Sequence, residues 1–131
     1  MIRVPPFRPL FARLIRFGIV GLGVTALHVL VAVSLVELSL SGPPAANGIA
    51  FVVATCISFI INARFTFRSR LTGGTFVRFL FVTGLCGTLS TTIAALAEDR
   101  GVDYRIGITL VVAIVPILSF LLHNLWSFRR P

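Results

Sequence analysis

The side chains best suited to binding chemistry in this sequence are arginines that stand next to apolar segments. The chain contains twelve arginines and no lysine, and a guanidinium group can bind two phosphate oxygens at once. Several arginines, two amides and a histidine fall at the same ends of these segments and could surround one phosphate group. These candidates are Arg16, Arg64, Arg68, Arg78 and Arg129, with Asn62, His123 and Asn124 just inside. Arg64 is the strongest candidate because it lies nearest to an apolar segment.

A second group of polar side chains lies within the apolar segments. His28 is the single ionisable residue deep in one of them, and Thr25, Ser58 and Ser119 follow helical spacing with other small or polar residues. Ionisable groups inside a membrane tend to face cavities and functional paths, so these four residues are candidates for lining a path. The alternative is that they pack helices together, with His28 as a neutral histidine bonded to a neighbouring helix.

The sequence contains no pattern typical of catalysis or metal binding. It has no nucleophile–base pair, no metal-type cluster and no glycine-rich nucleotide loop. Cys56 and Cys86 stand inside apolar segments, where we interpret them as small apolar fillers. The four acids could bond sugar hydroxyls, carry a coupling proton or be solvated loop charges; they are Glu37, Glu98, Asp99 and Asp103. We therefore expect neither an enzyme nor a bound cofactor.

Four apolar segments must position these side chains. Hydrophobic residues make up 56% of the chain and charged residues only 12%, whereas soluble chains carry about 25% charged residues. Each segment is near the length of about 20 residues that a bilayer core requires. The predicted helices cover residues 17–36, 47–63, 79–97 and 106–126. We predict an all-α membrane protein, one domain over residues 1–131, whose basic charge lies between apolar blocks rather than on a nucleic-acid-binding surface.

The arginines also predict an orientation. Ten of the twelve flank the N-terminus, the C-terminus or the connection between segments 2 and 3, whereas Arg100 and Arg105 share the other side with all four acids. The positive-inside rule then places both termini and the connection between segments 2 and 3 in the cytoplasm. We expect the membrane to be the inner (plasma) membrane. The first segment is longer than the roughly 7–15 apolar residues of a signal peptide, so we expect it to be retained. On this interpretation the arginines could serve topology and anionic headgroups alone.

The chain repeats itself at an offset of 61 residues. Residues 58–68 match residues 119–129, and Glu37 and Glu98 share the same offset. The match breaks seriously at two positions, where Ala63 and Arg64 of the first copy align with Asn124 and Leu125 of the second. Each copy has an even number of spans, so both enter the membrane from the same side and the repeat is parallel. The sequence therefore predicts two similar helical hairpins.

The two matching segment ends resemble a known family. Residues 59–67 read FIINARFTF and residues 120–128 read FLLHNLWSF. Both look like the Phe-Leu-Leu-Asn-Arg-x-Trp-x-Phe endings of the GtrA-like family, small membrane proteins linked to cell-surface polysaccharide modification. The resemblance extends from Arg16 to Phe128. In the second copy His123 stands where the pattern has asparagine, and Leu125 replaces a polar partner.

This resemblance implies the movement of a polyprenyl-phosphate-linked sugar from the cytoplasmic to the outer leaflet, for use by a membrane glycosyltransferase. Arg64, Arg68 and Asn62 would then hold the phosphate, and His28 would mark the path. The implied partners are the sugar lipid, membrane lipids and the glycosyltransferase. Four helices enclose little volume, so we also expect a homo-oligomer.

Two other functions are open to this sequence. The chain could anchor a polyprenyl-phosphate glycosyltransferase as a scaffold without transporting anything. It could also be a small multidrug exporter. Such exporters use a carboxylate within the membrane, whereas every acid here lies at or beyond a segment end. The arginine asymmetry further argues against the dual topology of that class, so we rank the exporter last.

Overall fold

Helices account for most of the chain that the structure describes. The computed structural model describes residues 7–129 and contains four α-helices in this range. They are α1 (Phe7–Glu37), α2 (Pro43–Ile61), α3 (Gly73–Asp99) and α4 (Tyr104–Leu122). Two five-residue π-helical turns, π1 (Asn62–Thr66) and π2 (His123–Ser127), follow α2 and α4 directly. Residues 7–129 contain no strand, which confirms the predicted all-α fold.

All four helices are long and apolar enough to cross a membrane. The spans are Pro9–Glu37, Ala45–Thr66, Gly73–Asp99 and Arg105–Ser127. Much of their apolar surface is open, since Leu22 on α1 is 76% exposed and Val112 on α4 is 66% exposed. In water such surface costs roughly 25 cal/mol per Å², whereas hydrocarbon solvates it. The structure therefore supports the predicted multi-pass membrane protein.

Two of the helices begin well before the predicted segments. α1 starts at Phe7 and α3 at Gly73, whereas the apolar runs start at residues 17 and 79. An apolar run stops at the first charge, but arginine is a good helix former, so the helices include Arg13, Arg16 and Arg78. The 31 residues of α1 span about 46 Å at ~1.5 Å per residue, against about 30 Å for the hydrocarbon core. Its arginine-bearing turns can therefore lie at the membrane surface.

The chain divides into two compact units between Arg68 and Ser69. Hairpin 1 consists of α1, α2 and π1, and hairpin 2 consists of α3, α4 and π2; within each, the two α-helices pack against each other. We call the end of a hairpin at which a short connection joins its two α-helices the turn end. The opposite end, which carries the π-helical turn, is the open end. This division agrees with the two hairpins that the sequence repeat predicts.

Both turn ends use the same kind of helix stop. The backbone reverses at Ser39 after α1 (φ 54°) and at Gly101 after α3 (φ 65°). In each case the amide of the stop residue donates to the carbonyl three residues earlier, and the next amide donates five residues back, at 2.9 to 3.0 Å. This pattern is the Schellman motif. It recurs at an offset of 62 residues, so the turns belong to the repeat as well as the helices.

Candidate functional site

The open end of each hairpin finishes in a π-helical turn. The amide of Phe67 donates to the carbonyl of Asn62 at 2.8 Å, and the amide of Phe128 donates to that of His123 at 2.9 Å. Each bond reaches back five residues instead of four, a rare geometry that frequently marks functional sites. The apolar pattern does not predict these turns. The one signal in the sequence is the polar pair four residues apart in each copy.

In hairpin 1 a buried amide holds the π-helical turn. Asn62 is 2% exposed. Its Oδ1 accepts a hydrogen bond from the Thr66 hydroxyl at 2.9 Å, and its Nδ2 donates to the Ser58 hydroxyl at 3.2 Å. Buried polar groups are bonded in this way in most proteins. The geometry favours a positioning role for Asn62 in π1, and its direct contact with phosphate stays a prediction.

In hairpin 2 a histidine takes the equivalent place. His123 is 2% exposed, and its Nδ1 is hydrogen-bonded to the Ser127 hydroxyl at 2.9 Å. Its ring also stacks on Phe79, with centroids 4.7 Å apart, and the Phe128 ring lies 5.8 Å from it. The second copy therefore keeps the polar pair of π1 but adds aromatic packing to it.

Helix α1 packs against π1 through two aromatic contacts. The guanidinium carbon of Arg16 lies 5.4 Å from the centre of the Phe65 ring, within the range of a cation–π interaction. Next to this contact, the rings of Phe17 and Phe67 meet edge to face at 6.1 Å. These contacts fix the cation of Arg16 beside π1.

The structure brings the predicted phosphate-binding residues of hairpin 1 to one end of that hairpin. Arg64 lies within π1, next to the Phe65 that Arg16 contacts, and its side chain is exposed. Arg68 follows π1, is also exposed, and has a positive φ of 50°. This backbone conformation costs a non-glycine residue roughly 1–2 kcal/mol, and such residues concentrate at functional sites. Arg16, Asn62, Arg64 and Arg68 thus share the open end of hairpin 1.

The open end of hairpin 2 differs in its chemistry. Arg78 donates through Nη1 to the backbone carbonyl of Trp126 at 3.3 Å and through Nε to that of Gly74 at 3.4 Å. The residue equivalent to Arg64 is Leu125, which is 64% exposed. Asn124 lies half-buried beside it. In hairpin 2, Arg78 is therefore bonded to the backbone of its own hairpin, whereas hairpin 1 has the exposed Arg64 where hairpin 2 has Leu125.

His28 is bonded to the neighbouring helix. Its Nε2 and the Oδ1 of Asn47 on α2 are hydrogen-bonded at 2.8 Å. The bond is the interhelical alternative that the sequence leaves open. Asn47 is a residue that the sequence reasoning misses, although it is an amide inside the second apolar segment. A role of His28 in a path stays a prediction.

The other candidate path residues bond mainly to their own helix or hairpin. The Thr25 hydroxyl donates to the carbonyl of Gly21 at 2.8 Å, and Ser58 accepts from π1. In hairpin 2, Ser119 on α4 lies close to the buried Cys86 on α3. The burial of Cys86 agrees with its interpretation as a small apolar filler. Whether these residues line a path is a prediction.

Residues 7–129 offer no metal site by the usual criterion. No group of three or more histidine, cysteine, aspartate or glutamate side chains comes together among the residues searched. Arg129, the remaining arginine of the predicted set, is exposed after π2.

These features define a small multi-pass membrane protein of two related hairpins with an arginine-bearing open end. Residues 16–128 match the family model of the GtrA/DPMS transmembrane domain. The chain therefore belongs to this family, as its two segment ends indicate.

Three relatives give the comparison more detail. The chain is 29% identical to the prophage bactoprenol-linked glucose translocase homolog of Escherichia coli (strain K12) over 120 residues, 92% of this chain and 95% of the relative. It is 28% identical to the bactoprenol-linked glucose translocase of Shigella phage SfX, with the same coverage. It is 32% identical to that of Salmonella phage P22 over 84 residues, 64% of this chain and 68% of the relative. No solved structure matches the chain.

Proposed function

We propose that this protein moves a polyprenyl-phosphate-linked sugar across the inner (plasma) membrane, from the cytoplasmic to the outer leaflet. The observation that carries the proposal is the open end of hairpin 1, where Arg64 lies within π1, Arg68 follows it and Arg16 lies on the Phe65 ring. The names of the relatives support the same class of cargo. In this proposal both termini and both open ends face the cytoplasm.

The open end of hairpin 1 suits a lipid monophosphate. Arg64 is exposed and can bind two phosphate oxygens through its fork of donors. Arg16 adds a second cation, which the Phe65 ring holds in place, and Arg68 adds a third. At the edge of hydrocarbon the effective dielectric constant is lower than in water, so these contacts are stronger there. Asn62 stabilises the site indirectly, because its hydrogen bonds to Ser58 and Thr66 hold π1 in place.

In this proposal the protein performs no covalent chemistry on the lipid-linked sugar. It exposes the headgroup site to one side and then the other, and the path past the hydrocarbon would use polar side chains of the spans. The residues proposed for this path are Thr25, His28, Ser58 and Ser119. Arg78, His123 and Asn124 would serve the equivalent end of hairpin 2.

Two partners belong to the proposal. A membrane glycosyltransferase would consume the sugar on the outer side. A second copy of the chain would complete the enclosure, and the helical glycines support this idea. A Cβ built on Gly18, Gly21, Gly84 or Gly87 would meet no described atom of its own hairpin within 4 Å. These glycines are therefore open to a close-packed neighbour.

Reconstituted vesicles test the proposal. We expect the purified protein to raise transbilayer movement of a polyprenyl-phosphate sugar, and Arg64→Ala to lower the rate at limiting lipid at least about tenfold. A charge-assisted hydrogen bond contributes roughly 1.5–3 kcal/mol, and 1.4 kcal/mol is about a factor of ten. Arg64→Lys should retain part of the rate, because it keeps the charge but loses the fork.

The matched control is Arg70→Ala. Arg70 is an exposed arginine in the connection between the hairpins, so this change removes one charge away from π1 and should leave the rate within about twofold. Equal losses at Arg64 and Arg70 would show that only overall charge matters. No movement with any polyprenyl-phosphate sugar, together with a displaced glycosyltransferase in a deletion strain, would instead establish the scaffold function.

A further inference from the structure

A cavity lies between α3 and α4 near the turn end of hairpin 2. Its volume is about 750 Å³, within the range of about 300–1,000 Å³ that is typical of small-molecule sites. Its lining includes Ser90, Thr91, Ala94 and Glu98 on α3 and Val112 on α4, and it includes no arginine or histidine. The cavity thus differs in charge from the open end of hairpin 1.

The three polar side chains that line this cavity, Ser90, Thr91 and Glu98, can act as hydrogen-bond acceptors toward a ligand. The Ser90 hydroxyl donates to the carbonyl of Cys86 at 2.9 Å, and the Thr91 hydroxyl donates to that of Gly87 at 3.0 Å. A hydroxyl whose single proton is used in this way offers only its lone pairs to a ligand. The ionised carboxylate of Glu98 is likewise an acceptor only.

A backbone carbonyl adds to this set. Pro116 lies inside α4 and has no amide hydrogen, so the carbonyl of Val112, four residues earlier, cannot receive its usual helical bond. Val112 lines the cavity. The proline therefore leaves a backbone acceptor without its usual helical partner at a residue of the cavity lining, on the α4 side.

We propose that this cavity binds the sugar of the lipid-linked cargo through the hydroxyl groups of that sugar. The inference rests on the proposed function and deepens it. A neutral sugar brings several O–H donors, which match the acceptors of Ser90, Thr91 and Glu98. An ionised phosphate brings no donors and is repelled by the carboxylate. Because the sugar is bonded directly to the phosphate, one cargo molecule would use the two places in turn, an open end through its phosphate and a turn end through its sugar.

Thiol labelling measures occupancy of this cavity without transport. In a background with Cys56→Ser and Cys86→Ser, Ala94→Cys places a thiol in the cavity wall, and Ser41→Cys places a control thiol at the turn of hairpin 1. Vesicles are labelled with a water-soluble maleimide in methyl β-D-glucoside or in inorganic phosphate. A second arm compares vesicles that contain polyprenyl-phosphate glucose with vesicles that contain polyprenyl phosphate.

We expect the glucoside and the glucose lipid to slow labelling of Ala94→Cys several-fold, and phosphate and the sugar-free lipid to leave it unchanged. Labelling of Ser41→Cys should not respond to any of them. Adding Glu98→Gln should remove most of the protection, because one acceptor oxygen becomes a donor group. Protection by the glucose lipid but not by the free glucoside would identify the lipid as the source of the bound sugar.

Three results would overturn the sugar site. The thiol at position 94 does not react with maleimide, phosphate protects it as well as the sugar does, or Glu98→Gln leaves protection intact. Transport in the same vesicles separates this inference from the proposed function. Lipid movement without protection removes the sugar site alone, and protection without lipid movement removes the proposed function alone.

Discussion

Position 64 is where the two copies differ most in chemistry. Hairpin 1 has Arg64 in its π-helical turn, and hairpin 2 has the exposed Leu125 at the equivalent place. The neighbouring arginines differ too, since Arg16 lies on the Phe65 ring and Arg78 is bonded to the Trp126 carbonyl. The sequence marks Arg64 as a break in the repeat. The structure adds that the break leaves a charged surface in one hairpin and an apolar surface in the other.

The bond between His28 and Asn47 has a measurable strength. We expect a double-mutant cycle of His28→Ala and Asn47→Ala to give a coupling free energy of about 0.6 kcal/mol, and at most about 1.7 kcal/mol, as for polar pairs between membrane helices. The measurement is the free energy of unfolding of the four proteins in mixed micelles.

The control cycle pairs Thr25→Ala with Asn47→Ala. The Thr25 hydroxyl bonds to its own helix, so this pair should show no coupling beyond error. Coupling equal in both cycles would contradict a specific His28–Asn47 bond. A coupled pair together with an unimpaired transport rate in His28→Ala would make His28 a packing residue and remove it from the path.

At the scale of elements, a polar pair and a π-helical turn occur together in both copies. Asn62 with Thr66 and His123 with Ser127 are each four residues apart, buried and hydrogen-bonded. Each turn is followed by a phenylalanine that packs against the first helix of its hairpin, Phe67 on Phe17 of α1 and Phe128 on Phe79 of α3. The repeat therefore conserves a backbone geometry at the open end, even where asparagine has become histidine.

The helix stops give a prediction with opposite signs at two nearby serines. Ser39→Gly should raise the free energy of unfolding by about 1 kcal/mol, because Ser39 has a positive φ that glycine adopts without steric cost. Ser34→Gly, five residues earlier inside α1, should lower it by about 0.5–1 kcal/mol, because glycine is unfavourable within a helix. Chemical unfolding in micelles measures both.

The second copy supplies the reverse test. Gly101 is the equivalent stop residue, also with a positive φ, so Gly101→Ala should lower the unfolding free energy by about 1 kcal/mol or more. If Ser39→Gly and Ser34→Gly change stability in the same direction, the left-handed stop at residue 39 is wrong.

At the scale of the whole molecule, the arginines separate the two ends of each hairpin. Arg16, Arg64 and Arg68 lie at the open end of hairpin 1, and Arg78 and Arg129 lie at that of hairpin 2. The turn ends hold Arg100 and Arg105 together with the four acids. A bias of this kind orients membrane helices with the arginine-rich side in the cytoplasm.

Site-directed thiol labelling tests this orientation. In a chain with Cys56→Ser and Cys86→Ser, we expect an impermeant maleimide applied outside the inner membrane to label Ser41→Cys and Val102→Cys at the two turns. Ser69→Cys, in the connection between the hairpins, should be labelled only after the membrane is opened. A permeant maleimide serves as the control for reactivity. Labelling of Ser69→Cys from outside would reverse the orientation, and partial labelling of all three would indicate dual topology.

Particular residues show how far the sequence leads. The apolar runs locate all four helices because a bilayer imposes a minimum length of apolar sequence. The runs misplace the starts of α1 and α3, since charge ends an apolar run without ending a helix. The offset of 61 residues pairs Asn62 with His123 correctly. It does not show that both are buried, because burial depends on packing between helices, as where His123 lies against Phe79 and Phe128.

The sequence by itself determined the solvent, the number of spans, the two-hairpin repeat and the family, because these depend on composition and on order along the chain. Tertiary structure alone decided which side chains meet, such as Arg16 with Phe65 and His28 with Asn47, and which residues of α3 and α4 line one cavity. The reason is physical, since each of these contacts joins different helices and depends on their rotation and register. Apolar side chains that face lipid fix neither the rotation nor the register of a helix.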